Sequence, residues 1–424
     1  MGGGRWAGVI SHQSSVITPS DQDGGRFAGF RLLRFESSTT FKLQQPSQDG
    51  PKPDRLTKDG SESVDKVEGQ VEDRRVEFVK RNWTGRFLRA EVNYYDYQQV
   101  MSRIRTWDEW LPAWTDKAAE YEKLAESAEA RGARHTAAEA WRRASMCWHF
   151  GKFNWFVDVE KSLHAQRRMN ACFERALWSL DPPGEKVLIP YAAGKLAAIL
   201  RRPAKATKPP VVVLIGGLDS VKEELQVMAD YFLERGMATL ALDGPGQGET
   251  GLTMKIEPAY EKPVAATIDF LGQTGGLDVT RVGLYGQSLG GHYVIRACAF
   301  EPRVKAAVSS SGPYSLADRW DRFSPTSRAG YQYRTGSKTP EETVDRLRPL
   351  DLTGVVEKVS CPLLVMHGTA DEVVPFSEGE RIAREAKHVT FWQLADGNHS
   401  LSNKHFEVRT GVADWLAEQL GGDR

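Results

Sequence analysis

A serine between two glycines, directly behind a short apolar run, is the feature that most constrains the fold of this chain. Residues 282–285 predict a buried strand, residues 286–290 read Gly-Gln-Ser-Leu-Gly, and residues 291–298 predict a helix. A strand that turns into a helix within so few residues forces Ser288 into a strained backbone conformation that only small neighbours permit. Its hydroxyl then projects from the top of a sheet, so Ser288 is the candidate nucleophile.

Two later loops carry the partners that such a serine needs. A hydroxyl is a poor nucleophile at neutral pH, so it requires a base, and the base requires an orienting acid. Residues 362–366 predict a buried parallel strand, and Asp371 lies on the loop after it. Residues 388–393 predict the last strand, and His399 lies on the loop before the C-terminal helix. The sequence therefore predicts a triad in the chain order serine, acid, histidine, which is the order of the α/β-hydrolases.

Other acids and histidines fit these roles less well. Glu372 is adjacent to the predicted acid, and Asp318, which follows another predicted strand, is the main alternative position for the acid. His388 begins a predicted strand and His405 lies within the final helix, so both fit the role of base worse. His367 is expected to support the acid loop rather than to react.

The loop after another apolar strand predicts an oxyanion hole. Residues 211–215 read as a buried strand that opens into a Gly-Gly-Leu-Asp-Ser loop. Acyl-transfer chemistry needs two backbone N–H donors aimed at the developing oxyanion. We expect one from Leu289, the residue after the serine, and one from Leu218, with Gly217 letting the backbone approach. The alternative is an ordinary glycine turn before a helix.

A second glycine cluster, residues 243–249, invites a nucleotide-binding interpretation that its spacing does not support. Glu249 occupies the position of the third glycine in the dinucleotide fingerprint, and no P-loop sequence occurs in the chain. We interpret the cluster as a tight turn beneath the site and expect no cofactor. The spacings typical of zinc ligands are absent as well, so we expect no metal site.

Composition limits the partners and the compartment. Lysine plus arginine equals aspartate plus glutamate at 56 each, which gives no electrostatic case for nucleic acid, and no apolar run approaches the length of a membrane span. The four cysteines are scattered, as expected of small buried hydrophobes in a reducing compartment, so we expect a cytoplasmic protein. The expected partner is a small-molecule substrate, and the sequence leaves a homodimer open.

The chain divides into three parts of different character. Residues 1–72 are rich in Ser, Gly, Gln, Pro and charge, which predicts a disordered extension. Residues 73–182 are helical and aromatic, with long helical runs predicted over residues 118–130, 136–153 and 160–180, and form a predicted cap domain. Residues 183–424 alternate short strands with helices, which predicts a mostly parallel sheet with helices on both faces. Within this catalytic part, the long segment 312–360 is predicted to be a lid insertion. Four residues of the helical part are candidates for the wall of the substrate pocket, although core packing is the favoured role of each: Trp110, Trp114, His149 and Phe153.

These motifs resemble the α/β-hydrolase superfamily, which implies an eight-stranded, mostly parallel sheet. A narrower resemblance covers nearly all of the chain after residue 75. It is to the 2,6-dihydropseudooxynicotine hydrolase group and to related fungal polyketide-shortening hydrolases. The motifs that carry it are Tyr94-Tyr95-Asp96-Tyr97, Trp107-Asp108-Glu109-Trp110, Asp181-Pro182-Pro183-Gly184-Glu185, Gly217-Leu218-Asp219-Ser220-Val221-Lys222-Glu223-Glu224, Asp243-Gly244-Pro245-Gly246-Gln247-Gly248-Glu249 and Gln287-Ser288-Leu289-Gly290-Gly291.

The narrower resemblance implies a Ser-His-Asp hydrolase that cleaves a carbon–carbon bond beside a ketone in an aromatic or polyketide-like molecule. It also implies an additional acidic residue between serine and acid, and the corresponding stretch here reads Asp318-Arg319-Trp320-Asp321-Arg322, in which no match is fixed. Ester hydrolysis uses the same machinery, so a carboxylesterase is the alternative. A resemblance in layout to a fermentation–respiration switch protein implies a third hypothesis, a regulatory binding protein.

Overall fold

The computed structural model describes residues 73–422, which belong to one compact unit. The predicted disordered extension, residues 1–72, lies outside the described residues. The N-terminal part is helical, as predicted. Its five α-helices are α1 (Arg74–Arg89), α2 (Tyr94–Met101), α3 (Trp110–Ala130), α4 (Arg134–Gly151) and α5 (Val159–Ala176).

Aromatic side chains fill the core of this helical part. The ring of Phe87 on α1 stacks on that of Phe150 on α4, with centroids 4.0 Å apart. The indole N–H of Trp110 donates to the Phe150 carbonyl at 2.8 Å, so the buried ring keeps a partner for its polar atom. Trp114 and Trp110 are both fully buried in this cluster. These two tryptophans therefore pack the helical core, which is the role that the sequence favours for them.

The remaining part of the chain forms an eight-stranded sheet in the order β1-β2-β4-β3-β5-β6-β7-β8. The strands are β1 (Gly184–Tyr191), β2 (Gly194–Arg201), β3 (Pro210–Ile215), β4 (Ala238–Asp243), β5 (Asp278–Gln287), β6 (Val304–Ser310), β7 (Leu363–Gly368) and β8 (Val389–Leu394). Strands β3 to β8 run parallel, and β2 pairs antiparallel with both β1 and β4. The predicted fold class, an α/β-hydrolase fold with a mostly parallel sheet and a helical N-terminal part, is confirmed.

Alternate residues of the central strands enter separate hydrophobic clusters on the two faces of the sheet. Val211, Val213 and Ile215 of β3 point into one cluster, while Val212 and Leu214 point into the other. This follows from the two-residue period of a strand, and burial on both faces explains why the strand reads as a continuous apolar run.

Helices cover both faces and the carboxyl edge of the sheet. They are α6 (Gln226–Leu233), α7 (Glu261–Thr274), α8 (Leu289–Phe300), α9 (Pro325–Thr335), α10 (Pro340–Leu347), α11 (Phe376–Glu385) and α12 (His405–Leu420). The segment that was predicted to be a lid, residues 312–360, contains α9, α10 and a short 3-10 helix, Ala317–Arg322. Among residues 73–422, no helix is both long and apolar enough to cross a membrane.

Candidate active site

Ser288 lies on the sharp turn between β5 and α8. Its backbone adopts φ +55° and ψ −122°, a conformation that a non-glycine residue rarely takes. The turn is tight enough that a Cβ at Gly286 would collide with the carbonyl oxygen of Gly290, so glycine is required there. The backbone N–H of Ser288 donates to the Ser310 carbonyl at the end of β6, at 2.8 Å. This hydrogen bond to β6 holds Ser288 in its strained backbone conformation at the carboxyl edge of the sheet.

The structure brings the three predicted triad side chains into one hydrogen-bonded chain. His399 Nε2 lies 2.9 Å from Ser288 Oγ, and His399 Nδ1 lies 2.8 Å and 3.0 Å from the two carboxylate oxygens of Asp371. Asp371 and His399 are both buried. With Nδ1–H donating to the carboxylate, Nε2 is left as the acceptor for the serine proton, which is the arrangement needed for general-base catalysis.

The carboxylate of Asp371 is fixed by the loop that carries it. Its Oδ1 accepts hydrogen bonds from the backbone N–H groups of Val373 at 2.9 Å and Val374 at 2.8 Å. Burial raises the pKa of this carboxyl, but the adjacent His399 imidazole outweighs burial, so the pKa of Asp371 lies below its ordinary value. His367 lies against the same loop, where Nε2 donates to the Val374 carbonyl at 2.9 Å. Burial lowers the pKa of His367, which favours its neutral form.

The rival acids and bases lie away from this chain of hydrogen bonds. Asp318 is exposed and accepts from the Ser315 hydroxyl at 3.2 Å, and Glu372 pairs on the surface with Arg81 at 3.1 Å. His388 and His405 are also exposed.

The predicted oxyanion loop lies directly beside Ser288. A Cβ at Gly217 would come within 3.1 Å of the Ser288 Cβ, so the loop approaches as closely as a glycine allows. Within residues 73–422, neither the Leu218 nor the Leu289 backbone N–H donates to a protein acceptor. Leu289 begins α8, so its N–H also lies at the positive end of the helix dipole.

Gln247, in the glycine cluster after β4, anchors this loop from below. Its amide Nε2 donates to the carbonyls of Gly216 at 2.6 Å and Gly217 at 3.1 Å, and its Oε1 accepts from the Tyr260 hydroxyl at 2.7 Å. The cluster therefore supports the backbone that precedes Leu218.

A buried ion cluster joins the helical part to the far side of the same loop. The guanidinium of Arg86, on α1, donates to both carboxylate oxygens of Asp219 at 3.0 Å and to those of Glu224 at 2.7 Å. Arg86 and Glu224 are both buried. His149 Nε2 lies 3.2 Å from Glu224, and burial lowers the pKa of His149 to about 4, so it is neutral at pH 7. His149 therefore takes part in the cluster and does not line the cavity above Ser288.

A cavity of about 40 Å³ is lined by Ser288 and His399. The helical part contributes Trp83 and Asn154 to its wall, and the Trp83 ring packs edge-on against the His399 imidazole with centroids 5.5 Å apart. Phe153, a candidate for this wall, packs behind Trp83 instead. The loops after β3 and β7 contribute Leu218, Asp219, Val373 and Val374. The segment 312–360 contributes six further residues: Pro313, Leu316, Arg319, Phe323, Ser327 and Tyr331.

Sequence reasoning did not single out Trp83 or Arg319 as residues of the cavity wall. Arg319 is one of several charged residues in a row, and Trp83 lies in a helix rich in arginine, so neither position is marked by its neighbours. Within residues 318–322, Arg319 lines the cavity, whereas Asp318 and Asp321 are exposed. Among the described residues, no group of three or more His, Cys, Asp or Glu side chains is placed to hold a metal ion.

Two family profiles match the chain. Residues 81–316 match the family described as esterase FrsA-like, and residues 220–423 match the prolyl oligopeptidase family. The FrsA-like match covers more than half of the chain, and it includes most of the helical part and the sharp turn that carries Ser288.

Individual relatives extend the similarity over most of the molecule. The 2,6-dihydropseudooxynicotine hydrolase of Paenarthrobacter nicotinovorans is 32% identical over 342 residues, which is 80% of this chain and 92% of the relative. Hydrolase LUC6 of a Fusarium species is 31% identical over 344 residues, 70% of this chain and 81% of the relative. A crystal structure of 2,6-dihydroxy-pseudo-oxynicotine hydrolase superimposes with a TM-score of 0.73 at 32% identity, covering 79% of this chain and 95% of that one.

Proposed function

The chain belongs to the FrsA-like family of α/β-hydrolases and is a homologue of 2,6-dihydropseudooxynicotine hydrolase, and on this premise we propose that it hydrolyses a carbon–carbon bond beside a ketone. The proposed substrate is a small aromatic or polyketide-like ketone. The observation that carries the proposal is the Ser288–His399–Asp371 chain of hydrogen bonds at the floor of a cavity walled by aromatic side chains.

In the proposed mechanism, Ser288 Oγ adds to the ketone carbon while His399 Nε2 takes its proton. The resulting alkoxide is held by the backbone N–H groups of Leu218 and Leu289. Asp371 keeps the imidazole in the required tautomer and stabilises the imidazolium. Both N–H groups are free of protein acceptors within the described chain, which supports this assignment.

Collapse of the alkoxide then breaks the carbon–carbon bond. The electron pair leaves with the carbon and is delocalised onto a neighbouring carbonyl or ring, and the imidazolium of His399 delivers a proton to that carbon. Water, deprotonated by His399, releases the acyl group from Ser288 as a carboxylic acid and restores the serine hydroxyl. The net reaction converts one ketone and one water into an acid and a carbon-protonated fragment.

The aromatic lining of the cavity supports a flat, conjugated substrate. A carbon leaving group must be aligned with its proton donor, which requires the substrate to be held in one orientation. Trp83 against His399, and the stacked rings of Phe323 and Tyr331 with centroids 5.0 Å apart, give two apolar walls for such a molecule. The name of the relative from Paenarthrobacter, a hydrolase of 2,6-dihydropseudooxynicotine, supports the same class.

The test compares specificity constants for 1,3-diketones and acylated polyphenols with those for p-nitrophenyl esters, with products identified by mass. We expect diketones to yield a carboxylic acid plus a carbon-protonated fragment, at the higher kcat/KM. If esters alone turn over, the proposal of carbon–carbon cleavage is wrong.

A carboxylesterase is the second candidate, because the family profile that matches residues 81–316 is described as an esterase. An ester places an oxygen, rather than a carbon, on the leaving side, and the same triad would serve. A purely regulatory binding protein is the third. Labelling with a serine-directed fluorophosphonate separates it from both enzymes, because we expect rapid labelling of Ser288 and none in Ser288→Ala.

We also propose that the protein works in the cytoplasm, since all four cysteines are unpaired and buried, as expected in a reducing compartment. The homodimer stays a prediction, and light scattering of the purified chain is the measurement that decides it.

A further inference from the structure

One charged side chain in the catalytic cavity has no role in the triad or the oxyanion loop. Arg319, in the 3-10 helix Ala317–Arg322, lines the cavity with Ser288 and His399 and is only 6% exposed. A buried guanidinium normally uses its N–H donors on protein acceptors, because an unpaired donor away from water is costly.

Two of the three guanidinium nitrogens of Arg319 lie against other groups of the protein. Nη2 donates to the Val373 carbonyl, and Nε forms an ion pair with Oε1 of Glu378 at 2.9 Å without hydrogen-bond geometry. The guanidinium also lies over the Phe323 ring, 5.5 Å from its centroid. These contacts hold the guanidinium in place, while Nη1, like Nε, has no hydrogen-bond acceptor among the described residues. A pre-positioned donor of this kind is what an enzyme needs where charge develops during the reaction.

We propose that Arg319 Nη1 binds the substrate oxygen that becomes negatively charged when the carbon–carbon bond breaks. This inference rests on the proposed function and narrows its substrate class to ketones with a second oxygen conjugated to the leaving carbon, as in a 1,3-diketone or an acylated phenol. The alkoxide formed on the attacked carbon lies in the hole of Leu218 and Leu289, and the enolate or phenolate oxygen of the leaving group lies against Arg319.

The electron count follows directly. As the alkoxide reforms its carbonyl, the bonding pair of the broken carbon–carbon bond moves onto the leaving carbon and from there onto its conjugated oxygen, which accepts hydrogen bonds from Arg319. For a 1,3-diketone, the imidazolium of His399 then protonates the carbon, and the oxygen returns to a neutral carbonyl. For an acylated phenol, the ring carbon that bears the acyl group gains a proton and the phenol hydroxyl loses one before the bond breaks, so the bonding pair enters the ring and the oxygen leaves as a phenolate. No oxidant or further reactant is required. An alkyl ester has no such second oxygen, so its hydrolysis does not use Arg319.

The test combines two substrates with three variants. Arg319→Gln keeps a donor without the charge, Arg319→Lys keeps the charge, and Arg322→Gln is the matched control because Arg322 is an exposed arginine in the same short helix. With 1-phenyl-1,3-butanedione, Arg319→Gln should lower kcat by about 100–1,000-fold, the usual effect of losing a donor to a transition-state oxyanion. Arg319→Lys should recover part of that loss, and Arg322→Gln should match the wild type.

Fluorophosphonate labelling and turnover of a simple alkyl ester measure the intact triad separately. This control is needed because Arg319 also holds the Val373 carbonyl, whose residue donates to Asp371. Both rates should stay within about threefold of the wild type in Arg319→Gln. If they fall in parallel with diketone cleavage, Arg319 only supports the acid loop and the inference is wrong. An unchanged kcat for the diketone would overturn it as well.

A binding measurement keeps this inference distinct from the proposed function. In Ser288→Ala, the dissociation constant for 1-phenyl-1,3-butanedione can be followed by tryptophan fluorescence without turnover, since Trp83 lines the cavity. Adding Arg319→Gln should weaken that binding by roughly tenfold or more, and an unchanged constant contradicts the role of Arg319. Absence of diketone cleavage by the wild type would instead refute the carbon–carbon proposal, and the binding result would then decide the role of Arg319 alone.

Discussion

Replacing Arg86 by methionine tests whether the helical part holds the oxyanion loop in place. Arg86 is 3% exposed and donates to two buried carboxylates, Asp219 and Glu224. Asp219 directly follows Leu218, whose N–H is the proposed oxyanion donor. Methionine preserves much of the volume and apolar stem of arginine, so the variant removes the charge and the hydrogen bonds rather than the packing.

The expected loss in the free energy of unfolding is large, because the carboxylates of Asp219 and Glu224 lose the same partner. Removal of one partner from a buried ion pair typically costs about 3–5 kcal/mol, since the other charge stays buried without compensation. The matched control is Arg103→Met, which breaks a 2.5 Å ion pair with Asp116 whose side chains are 50% and 58% exposed. Exposed pairs contribute roughly 0–1 kcal/mol, so the two variants should differ by several-fold in their effect on the free energy of unfolding.

The stability that Arg86→Met loses should depend on pH, and the loss should increase as the pH rises. Burial raises the pKa of Glu224, but Arg86 outweighs burial and holds that pKa well below its ordinary value. A carboxyl with a lowered folded pKa stabilises the fold above its unfolded pKa, about 4.3, and loses that contribution as the pH falls through the folded value. Without Arg86, burial raises the pKa of Glu224, so the variant should be most destabilised at pH 7–8 and less so near pH 5, where the acid can bind a proton.

Urea unfolding followed by tryptophan fluorescence at pH 5 and pH 8 measures both expectations, and kcat is measured under conditions where the variant stays folded. We expect Arg86→Met to have a lower kcat and an almost unchanged rate of substrate binding. If Arg86→Met loses no more stability at pH 8 than Arg103→Met, or if its loss grows toward pH 5, the reasoning about the buried cluster is wrong.

Five further substitutions test the triad, the oxyanion loop and a buried lysine. Ser288→Ala, His399→Ala and Asp371→Asn should each lower kcat by about 10³–10⁶-fold in a turnover assay while leaving the melting temperature nearly unchanged, and near-full activity of Asp371→Asn would contradict the acid assignment. Gln247→Leu removes the amide that holds two carbonyls of the oxyanion loop, so kcat should fall about 10–100-fold with KM nearly constant, and a change confined to KM would argue against that role. Burial lowers the pKa of Lys152 to about 7, far below its unfolded value, so the folded state disfavours the charged form. Lys152→Met should therefore stabilise the protein by a few kcal/mol below pH 7, and the gain should fade between pH 7 and pH 10 in urea titrations, whereas a gain that grows with pH would refute this assignment.

The parts of the fold that could be predicted from the sequence are those fixed by local pattern. The apolar run before Gly286 predicts a strand, and glycine on both sides of Ser288 predicts the sharp turn, because both properties depend on neighbours along the chain. These local patterns were sufficient to predict an α/β-hydrolase fold, and the structure confirms that prediction. Element ends were less predictable: α3 begins at Trp110, eight residues before the predicted run, because tryptophans and Pro112 obscure the helical period of its first turns.

The site was predictable where each residue follows a strand in a known order, and it was not where contacts are distant in sequence. The structure brings together Ser288, Asp371 and His399, and their catalytic roles stay predictions until the variants are measured. Arg86 meets Glu224 across 138 positions, and Arg319 meets Val373 across 54, so no local pattern marks either arginine. Charged side chains are rarely buried in folded proteins. Within a run of charged residues, the sequence does not indicate which one is buried.

The most direct test of the central claim is a search for the acyl-enzyme formed from a ketone. The wild-type protein is mixed with 1-phenyl-1,3-butanedione, quenched within milliseconds, digested and measured by peptide mass. The account predicts an acyl group on the peptide that contains Ser288, together with a carbon-protonated ketone in solution, and no adduct in Ser288→Ala. Release of acid and ketone without any adduct on that peptide, or an adduct that persists in Ser288→Ala, would contradict nucleophilic cleavage of a carbon–carbon bond by this serine.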